Sequence, residues 1–206
     1  MAQIKVLIAD DHALVRMGVR LLIASQKDLT LVAEVKNGRE AVAAVERLRP
    51  DVAVLDLLMP QMDGIEATAR IRETSPETQV VILTSYGTSD GLSRALANGA
   101  IGAVLKSETE NELVLAIRHA AAGKSHVTEE IRAQLAAEPP LPALTPRQLD
   151  VLKSITNGLS NPDIAQELGI DMATVKTHIA KIFEKLGVAN RSEAVAVALR
   201  KQLVKM

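Results

Sequence analysis

Five short apolar runs, each followed by a stretch with helical spacing, constrain this chain more than any other feature. They cover residues 4–9, 31–35, 52–55, 80–83 and 100–105. Each is long enough for a strand and too short for an ordinary helix. Between them, sets such as Ala41, Val42, Val45 and Leu48, or Leu113, Ala116, Ile117 and Ala120, recur at the spacing of one helix face. Strand and helix alternating five times predict an α/β fold, a doubly wound five-stranded parallel sheet with helices on both faces. The run from Val52 to Leu55 has no polar residue at all, as expected for a strand buried on both sides.

The residues that end these runs carry the chemistry. Asp10 and Asp11 follow the first, Asp56 the third, Thr84 and Ser85 the fourth, and Lys106 the fifth. The carboxyl ends of parallel strands share one edge, where open α/β sheets place their ligands. One aspartate there is most simply a loop cap, but four strands ending on reactive groups point to a shared site. Two carboxylates about 5 Å apart repel by about 3 kcal/mol at an effective dielectric of about 20. Three acids on one edge therefore call for a cation, and hard oxygen ligands favour Mg²⁺ or Mn²⁺. Lys106 can pair with a carboxylate or a phosphoryl group, and the Thr84 hydroxyl can donate to a phosphoryl oxygen. The set suits an aspartyl-phosphate site with Asp56 as nucleophile. His12, next to the acid pair, reads as a surface or capping residue opening the first helix rather than as a metal ligand.

Asp10-Asp11, Asp56-x-x-Met-Pro-x-Met-Asp-Gly64, Thr84 and the run from Gly99 to Lys106 resemble the receiver domain of bacterial two-component response regulators. The likeness covers residues 1–122. It implies that Asp56 accepts a phosphoryl group from a sensor histidine kinase. It also implies that Asp11, Asp56 and the backbone carbonyl of Leu58 hold Mg²⁺, with Asp10 acting through water, and that Thr84 and Lys106 bind the phosphoryl oxygens. One position departs from the pattern: Ala103 stands where the family commonly has an aromatic switch residue, so the usual threonine-to-aromatic relay is not expected. By the same likeness Leu58 and Tyr86 flank the path of a hydrolytic water. Neither is an acid or amide that could orient water and both are bulky enough to exclude it, so slow loss of the phosphoryl group is expected.

Past Gly123 the pattern changes. The spacing over 127–135 predicts a short helix, and the prolines at 139, 140 and 142 predict a semi-rigid end to a linker spanning 123–143. Charge divides at the same place. Residues 144–206 carry nine basic against six acidic residues, whereas the rest of the chain carries fifteen against nineteen. The two parts face different partners. Tyr86 and Phe183 are the only aromatics, which argues against base stacking on single-stranded nucleic acid. With no cysteine, disulfides and thiolate metal sites are excluded. No apolar run approaches a membrane span and the N-terminus reads as a strand, so a cytoplasmic protein without a membrane partner is expected.

The last segment has only helical signals. Thr145-Pro146 opens a helix that Asn157-Gly158 ends, Ser160 or Asn161 caps a short one stopped by Gly169, and Asp171 caps a long one over 172–186, with Gly187 as its stop. A final helix begins near Ser192. On the long helix Val175, Ile179, Ile182 and Leu186 form one stripe, with Thr177, Ala180, Lys181 and Glu184 opposite and Lys176 on the flank. This is either a helix-turn-helix or an amphipathic helix in a small bundle. The stretches 144–152, 158–165 and 174–187 resemble a LuxR-type output domain, and with the receiver they place the chain in the NarL/FixJ class of response regulators. The resemblance implies that Lys176 and Thr177 enter the major groove of double-stranded DNA, with Thr174 and Lys181 as further contacts. It implies a homodimer on DNA through the last helix, at Ala194, Val195 and Ala198, and makes RNA polymerase a candidate partner. Gln148 replaces a usual glutamate, and Ala180 a base-contacting lysine of some members. The rival readings are an aspartyl-nucleophile phosphohydrolase, disfavoured by Leu58 where a second acid is usual, and a phosphate-independent interaction protein, disfavoured by the intact acid set. A DNA-binding regulator, not an enzyme, is the expected function.

Overall fold

Side chains alternate across a strand, and in the N-terminal part of the chain both faces of the central strands are covered. The computed structural model describes residues 3–85, 89–137, 144–201, 203 and 204. They fall into two compact units, one within Met1–Pro139 and one within Pro140–Met206. The first holds strands β1 (Ile4–Ala9), β2 (Leu29–Val35), β3 (Val52–Leu55), β4 (Gln79–Thr84), β5 (Gly102–Leu105) and β6 (His126–Val127), and helices α1 (Ala13–Ala24), α2 (Gly38–Leu48), α3 (Gly64–Thr74), α4 (Ser89–Ala97), α5 (Glu110–Ala121) and α6 (Glu129–Ala137). The sheet order is β2-β1-β3-β4-β5-β6, with every pairing parallel.

Two cores follow from the alternation. Leu7, Ala53, Leu55, Ile82 and Ala103 face one way, against Ala41 and Val45 of α2, Ile71 of α3, Leu92 of α4 and Ile131 of α6. Val6, Ile8, Val54, Val81 and Val104 face the other, against Val19 and Ile23 of α1 and Leu113 and Ile117 of α5. Among the described residues no helix is long and apolar enough to cross a membrane.

The five expected strands are present, but the sheet has six. The amide of His126 donates to Ile101 O at 3.1 Å, and that of Thr128 to Ala103 O at 3.3 Å, which pairs the edge of β5. A Cβ on Gly102 would lie 2.9 Å from His126 O, so the glycine admits this close approach. Two residues are too few to carry a period, which is why β6 leaves no trace in the sequence. Residues 123–137, expected as linker with a short helix, instead lie within the first unit, and Ile131 of α6 is fully buried beside β5 and α4. The proline-rich residues 139–142 lie outside the described residues.

The second unit comprises α7 (Pro146–Thr156), α8 (Asn161–Leu168), α9 (Met172–Leu186) and α10 (Arg191–Arg200). Thr145 and Ser160 make capping boxes with Gln148 and Asp163, and Asp171 caps α9. Gly169 and Gly187 close α8 and α9 in the left-handed region, at φ 63° and 65°. Arg147 reaches the Leu168 carbonyl at the end of α8, and Arg191 the Ile155 carbonyl in the last turn of α7 and the Leu159 carbonyl just beyond it, placing positive charge at two helix C-termini. Val151, Leu152, Ile155, Ile164, Val175, Ile182, Ala194 and Ala198 form the core. Helix α10 begins at Arg191, one residue before the expected start, because the Asn190 side chain accepts from Glu193 N.

Ile131→Ala tests whether α6 belongs to the first unit's core. It is expected to lower stability by about 2–5 kcal/mol, as for other buried Ile truncations, read from the urea midpoint of that unit. An unchanged midpoint would mean that α6 is merely an appendage.

Candidate functional site

The strand ends bring the acids and the lysine together. The amide of Asp56 donates to Ala9 O at 2.8 Å and that of Lys106 to Thr84 O at 2.8 Å, extending the ladder one step past the strands and seating both residues on the carboxyl edge. Lys106 Nζ donates to Asp56 Oδ2 at 2.9 Å and lies 2.6 Å from Asp10 Oδ2. The second contact is an ion pair off the hydrogen-bonding direction, so Asp10 Oδ2 is a fully buried oxygen with no aligned donor. Asp10 Oδ1 accepts from the His12 amide at 2.8 Å, a local turn that opens α1, and Arg16 holds the Asp10 carbonyl at 2.6 Å. Asp11 is exposed at the rim, and Thr84 is buried at the end of β4.

The cluster is suited to a cation. Ligand atoms of Asp10, Asp11, His12 and Asp56 all lie within 4.8 Å of one another. The carboxylate-rich donor set, three acids against the single Lys106 ammonium, fits a hard divalent ion such as Mg²⁺. His12, expected only as a surface or capping residue, does occupy the N-cap position of α1, but its side chain makes no cap bond. Its Nδ1 sits 2.8 Å from Asp11 Oδ1 instead. Only geometry could have put it there, because the residue type fits both readings.

The loop after β3 is built around the backbone of Asp56. A Cβ on Gly64 would stand 2.2 Å from the Asp56 carbonyl oxygen, and one on Gly38 2.6 Å from the Met62 carbonyl. Gly64 N donates to Leu57 O at 2.9 Å and Gly38 N to Met62 O at 3.0 Å. Asp63 caps α3 by accepting from Glu66 N. Gln61 takes φ 66° without being glycine, so the loop carries local strain where it passes the site. Leu57 and Met59 point into the core, whereas Leu58 is 42% exposed. Tyr86, the other residue expected to flank the water path, lies outside the described residues.

Electrostatics set the protonation of this group. Burial pushes the Asp56 carboxyl above its ordinary range; Lys106 and the Leu58 amide pull it down, Asp10 pushes it up, and the balance is upward. Burial works against the Lys106 ammonium, but hydrogen bonding and charge from Asp10 and Asp56 outweigh it, and its pKa rises.

In the second unit, Lys176, Thr177, Ala180, Lys181 and Glu184 of α9 are exposed, as the sequence predicts, while Val175, Ile182 and Leu186 are buried. Thr177 Oγ1 donates to Ala173 O at 2.9 Å, leaving its lone pairs to the solvent side. Thr174 is half-buried, and its hydroxyl donates to Asp171 Oδ2 at 2.7 Å, so it acts first in the cap. Gln148 is buried, and its Oε1 accepts from Thr145 N at 2.9 Å and from Lys185 Nζ at 3.0 Å. The expected dimer face needs correction. Ala194 and Ala198 are fully buried in their own unit and offer no free surface, whereas Val195 is half-buried; Ala196 and Leu199 are the exposed apolar positions of α10.

The chain matches the response regulator receiver domain over residues 6–118 and the luxR family of bacterial regulatory proteins over residues 142–198. It therefore belongs to the LuxR-type response regulators: DNA-binding transcription regulators, not enzymes. It is 37% identical to the transcriptional regulatory protein YxjL of Bacillus subtilis strain 168, over 98% of each chain. It is 36% identical to the response regulator protein VraR of Staphylococcus aureus, over 98% of this chain and 99% of that one. It also resembles RcsB of Salmonella enterica serovar Typhimurium, solved bound to a promoter in the presence of the phosphomimetic BeF3−, with TM-score 0.69, 26% identity, and coverage of 95% of this chain and 97% of that one.

The pKa direction at Asp56 gives a test. A carboxyl raised on folding adds stability that is fully present below the ordinary aspartate range and lost as pH rises through the folded value. At pH 7 in chelator, Asp56→Asn is therefore expected to melt above the wild type, with the gap closing as pH falls toward that range. Added Mg²⁺ should raise the wild-type midpoint and leave the variant's nearly unmoved. A variant stabilised equally by Mg²⁺ would remove Asp56 from the ion's ligands.

Proposed function

We propose that Asp56 accepts a phosphoryl group from a sensor histidine kinase, and that this modification controls homodimeric, sequence-specific binding of double-stranded DNA by the second unit. The observation that carries the reading is the buried Asp56 carboxylate held, together with buried Asp10, by the one ammonium of Lys106 at the carboxyl edge of a parallel sheet. The receiver in this reading runs through α6, and residues 144–206 are the output domain.

Asp10, Asp11, Asp56 and the Leu58 carbonyl are the residues that would hold Mg²⁺, His12 standing beside them. When bound, the ion offsets the negative charge of the transferred phosphoryl group. An Asp56 carboxylate oxygen attacks phosphorus, the phosphorus–nitrogen bond to the kinase histidine breaks, and its electron pair returns to the imidazole, which takes up a proton. Lys106 then pairs with a phosphoryl oxygen in place of the free carboxylate, and Thr84 donates its hydroxyl to another. Leu58 offers a water no hydrogen-bonding group, which favours a long-lived acyl phosphate.

Exposed Lys176 and Thr177 are assigned to base edges and Lys181 to phosphate; Thr174 supports them from the helix N-terminus. The dimer contact on α10 moves to the face of Ala196 and Leu199. RNA polymerase is the further partner that a promoter-bound regulator of this kind would meet, and a kinase and DNA as partners suit the cytoplasm.

Intact-mass analysis with Mg²⁺ and a small phosphodonor should show one added phosphoryl group on the wild type and none on Asp56→Asn, and Leu58→Asn should lose it faster. Uptake by Asp56→Asn at the wild-type rate would overturn the acceptor assignment. On DNA, Lys181→Ala should weaken binding to all sequences and lower the salt slope by about 1. Lys176→Ala should cost about 1–3 kcal/mol of discrimination at one base pair. Unchanged operator preference in Lys176→Ala would remove it from the groove.

A further inference from the structure

Away from the acid cluster, two imidazoles meet edge to edge at the boundary between α5 and β6. His119 Nδ1 and His126 Nδ1 are 3.2 Å apart, with ring centroids 5.1 Å apart and planes inclined at 62°. Glu112, two helical turns before His119 on α5, places its Oε2 3.0 Å from His126 Nε2. With the carboxylate as acceptor, Nε2 carries the His126 proton, and Nδ1, 3.2 Å from His119 Nδ1, keeps a lone pair. The backbone around His126 is already fixed: its amide bonds to Ile101 O, and Gly102 admits its carbonyl at close range.

The spacing admits a ligand. Two imidazole nitrogens at about 2.0–2.1 Å from one tetrahedral Zn²⁺ stand about 3.3–3.4 Å apart. The observed separation is 3.2 Å. A carboxylate on the far nitrogen of a ligating histidine is the arrangement that orients the ring and raises its basicity. Nitrogen donors favour Zn²⁺ and its neighbours over the hard ion suited to the Asp10 cluster. His126 is 18% exposed and Glu112 37%, so ion and water have access.

We infer that His119 and His126 form a site for a divalent transition-metal ion of the Zn²⁺ class, with Glu112 as the positioning residue for His126. The ion binds both Nδ1 atoms; the proton otherwise shared between the rings moves to His119 Nε2, and water fills the remaining positions. Its effect is to clip β6 to α5. Because β6 leads directly into α6, occupancy fixes the segment through which the receiver continues toward the output unit.

The test is titration of the full chain with Zn²⁺ alone, followed by calorimetry, with Mg²⁺ held in excess to occupy the acid cluster. The wild type should bind one equivalent more than His119→Ala or His126→Gln, and Glu112→Gln should keep the stoichiometry with affinity lowered about 10–100-fold. Zn²⁺ should raise the melting temperature of the wild type and of Glu112→Gln but not of the two histidine variants. Equal Zn²⁺ binding by wild type and His119→Ala would overturn the proposal and leave an imidazole–imidazole hydrogen bond only. Should a histidine variant not fold, Co²⁺ substitution of the wild type decides: imidazole Nδ1 resonances of His119 and His126 shifted by the ion support the site, and unshifted ones refute it.

Discussion

Lys106 stands between two buried carboxylates, and the first unit's site depends on that contact. Asp10 and Asp56 carry ligand oxygens within 4.8 Å of each other, a separation at which like charges repel by about 3–4 kcal/mol at an effective dielectric of about 20. The ammonium, 2.6 Å from Asp10 and 2.9 Å from Asp56, turns a repulsive pair into an attractive trio that still carries net negative charge. Asp11 at the rim adds to it. Such a group is stable enough to fold around, yet it favours a further cation and then a phosphoryl group. The raised pKa of Asp56 reports the same imbalance, because burial costs the carboxylate more than Lys106 returns.

Most of this site was legible in the sequence, for a physical reason. In a parallel sheet the strand termini converge on one edge, so Asp10, Asp56, Thr84 and Lys106 had to become neighbours once the five runs were recognised as strands. Gly64 belongs to the same logic, since no side chain fits against the Asp56 carbonyl. What the sequence did not disclose were contacts fixed by tertiary packing alone. His12 turns toward Asp11 rather than capping α1. His126 and Val127 join the sheet through backbone pairing with β5 and no pattern.

The misplaced dimer face has a similar origin. Residues 194–198 read Ala-Val-Ala-Val-Ala, so α10 is apolar around much of its circumference. A hydrophobic stripe identifies the buried side of a helix only when the opposite side is polar. Here either side could have faced the core, and the structure gives the core Ala194 and Ala198. On α9 the periodicity is unambiguous, with Val175, Ile182 and Leu186 buried and Lys176 and Lys181 exposed, so the reading from spacing held there. Lys185, one turn further on, reaches Gln148 and is thereby held against its own unit.

Ala103 ties these observations to signalling. An aromatic side chain at this position would need volume on the face of β5 that instead holds Ile131, which shares a core with Ala103, Leu92 and Ala95. Close packing makes that volume a single resource: a ring at 103 and an isoleucine at 131 could not both occupy it without moving the helix. The small residue and the added helix are therefore two sides of one arrangement. Thr84 and Leu105 pair directly across β4 and β5, and α4 and α6 pack on the same face as Ala103. A shift at Thr84 has no ring to turn here. Where a ring would stand, α6 packs instead on the face of Ala103, and its chain continues through residues 138–143 into the residues of the helical unit that carries Lys176.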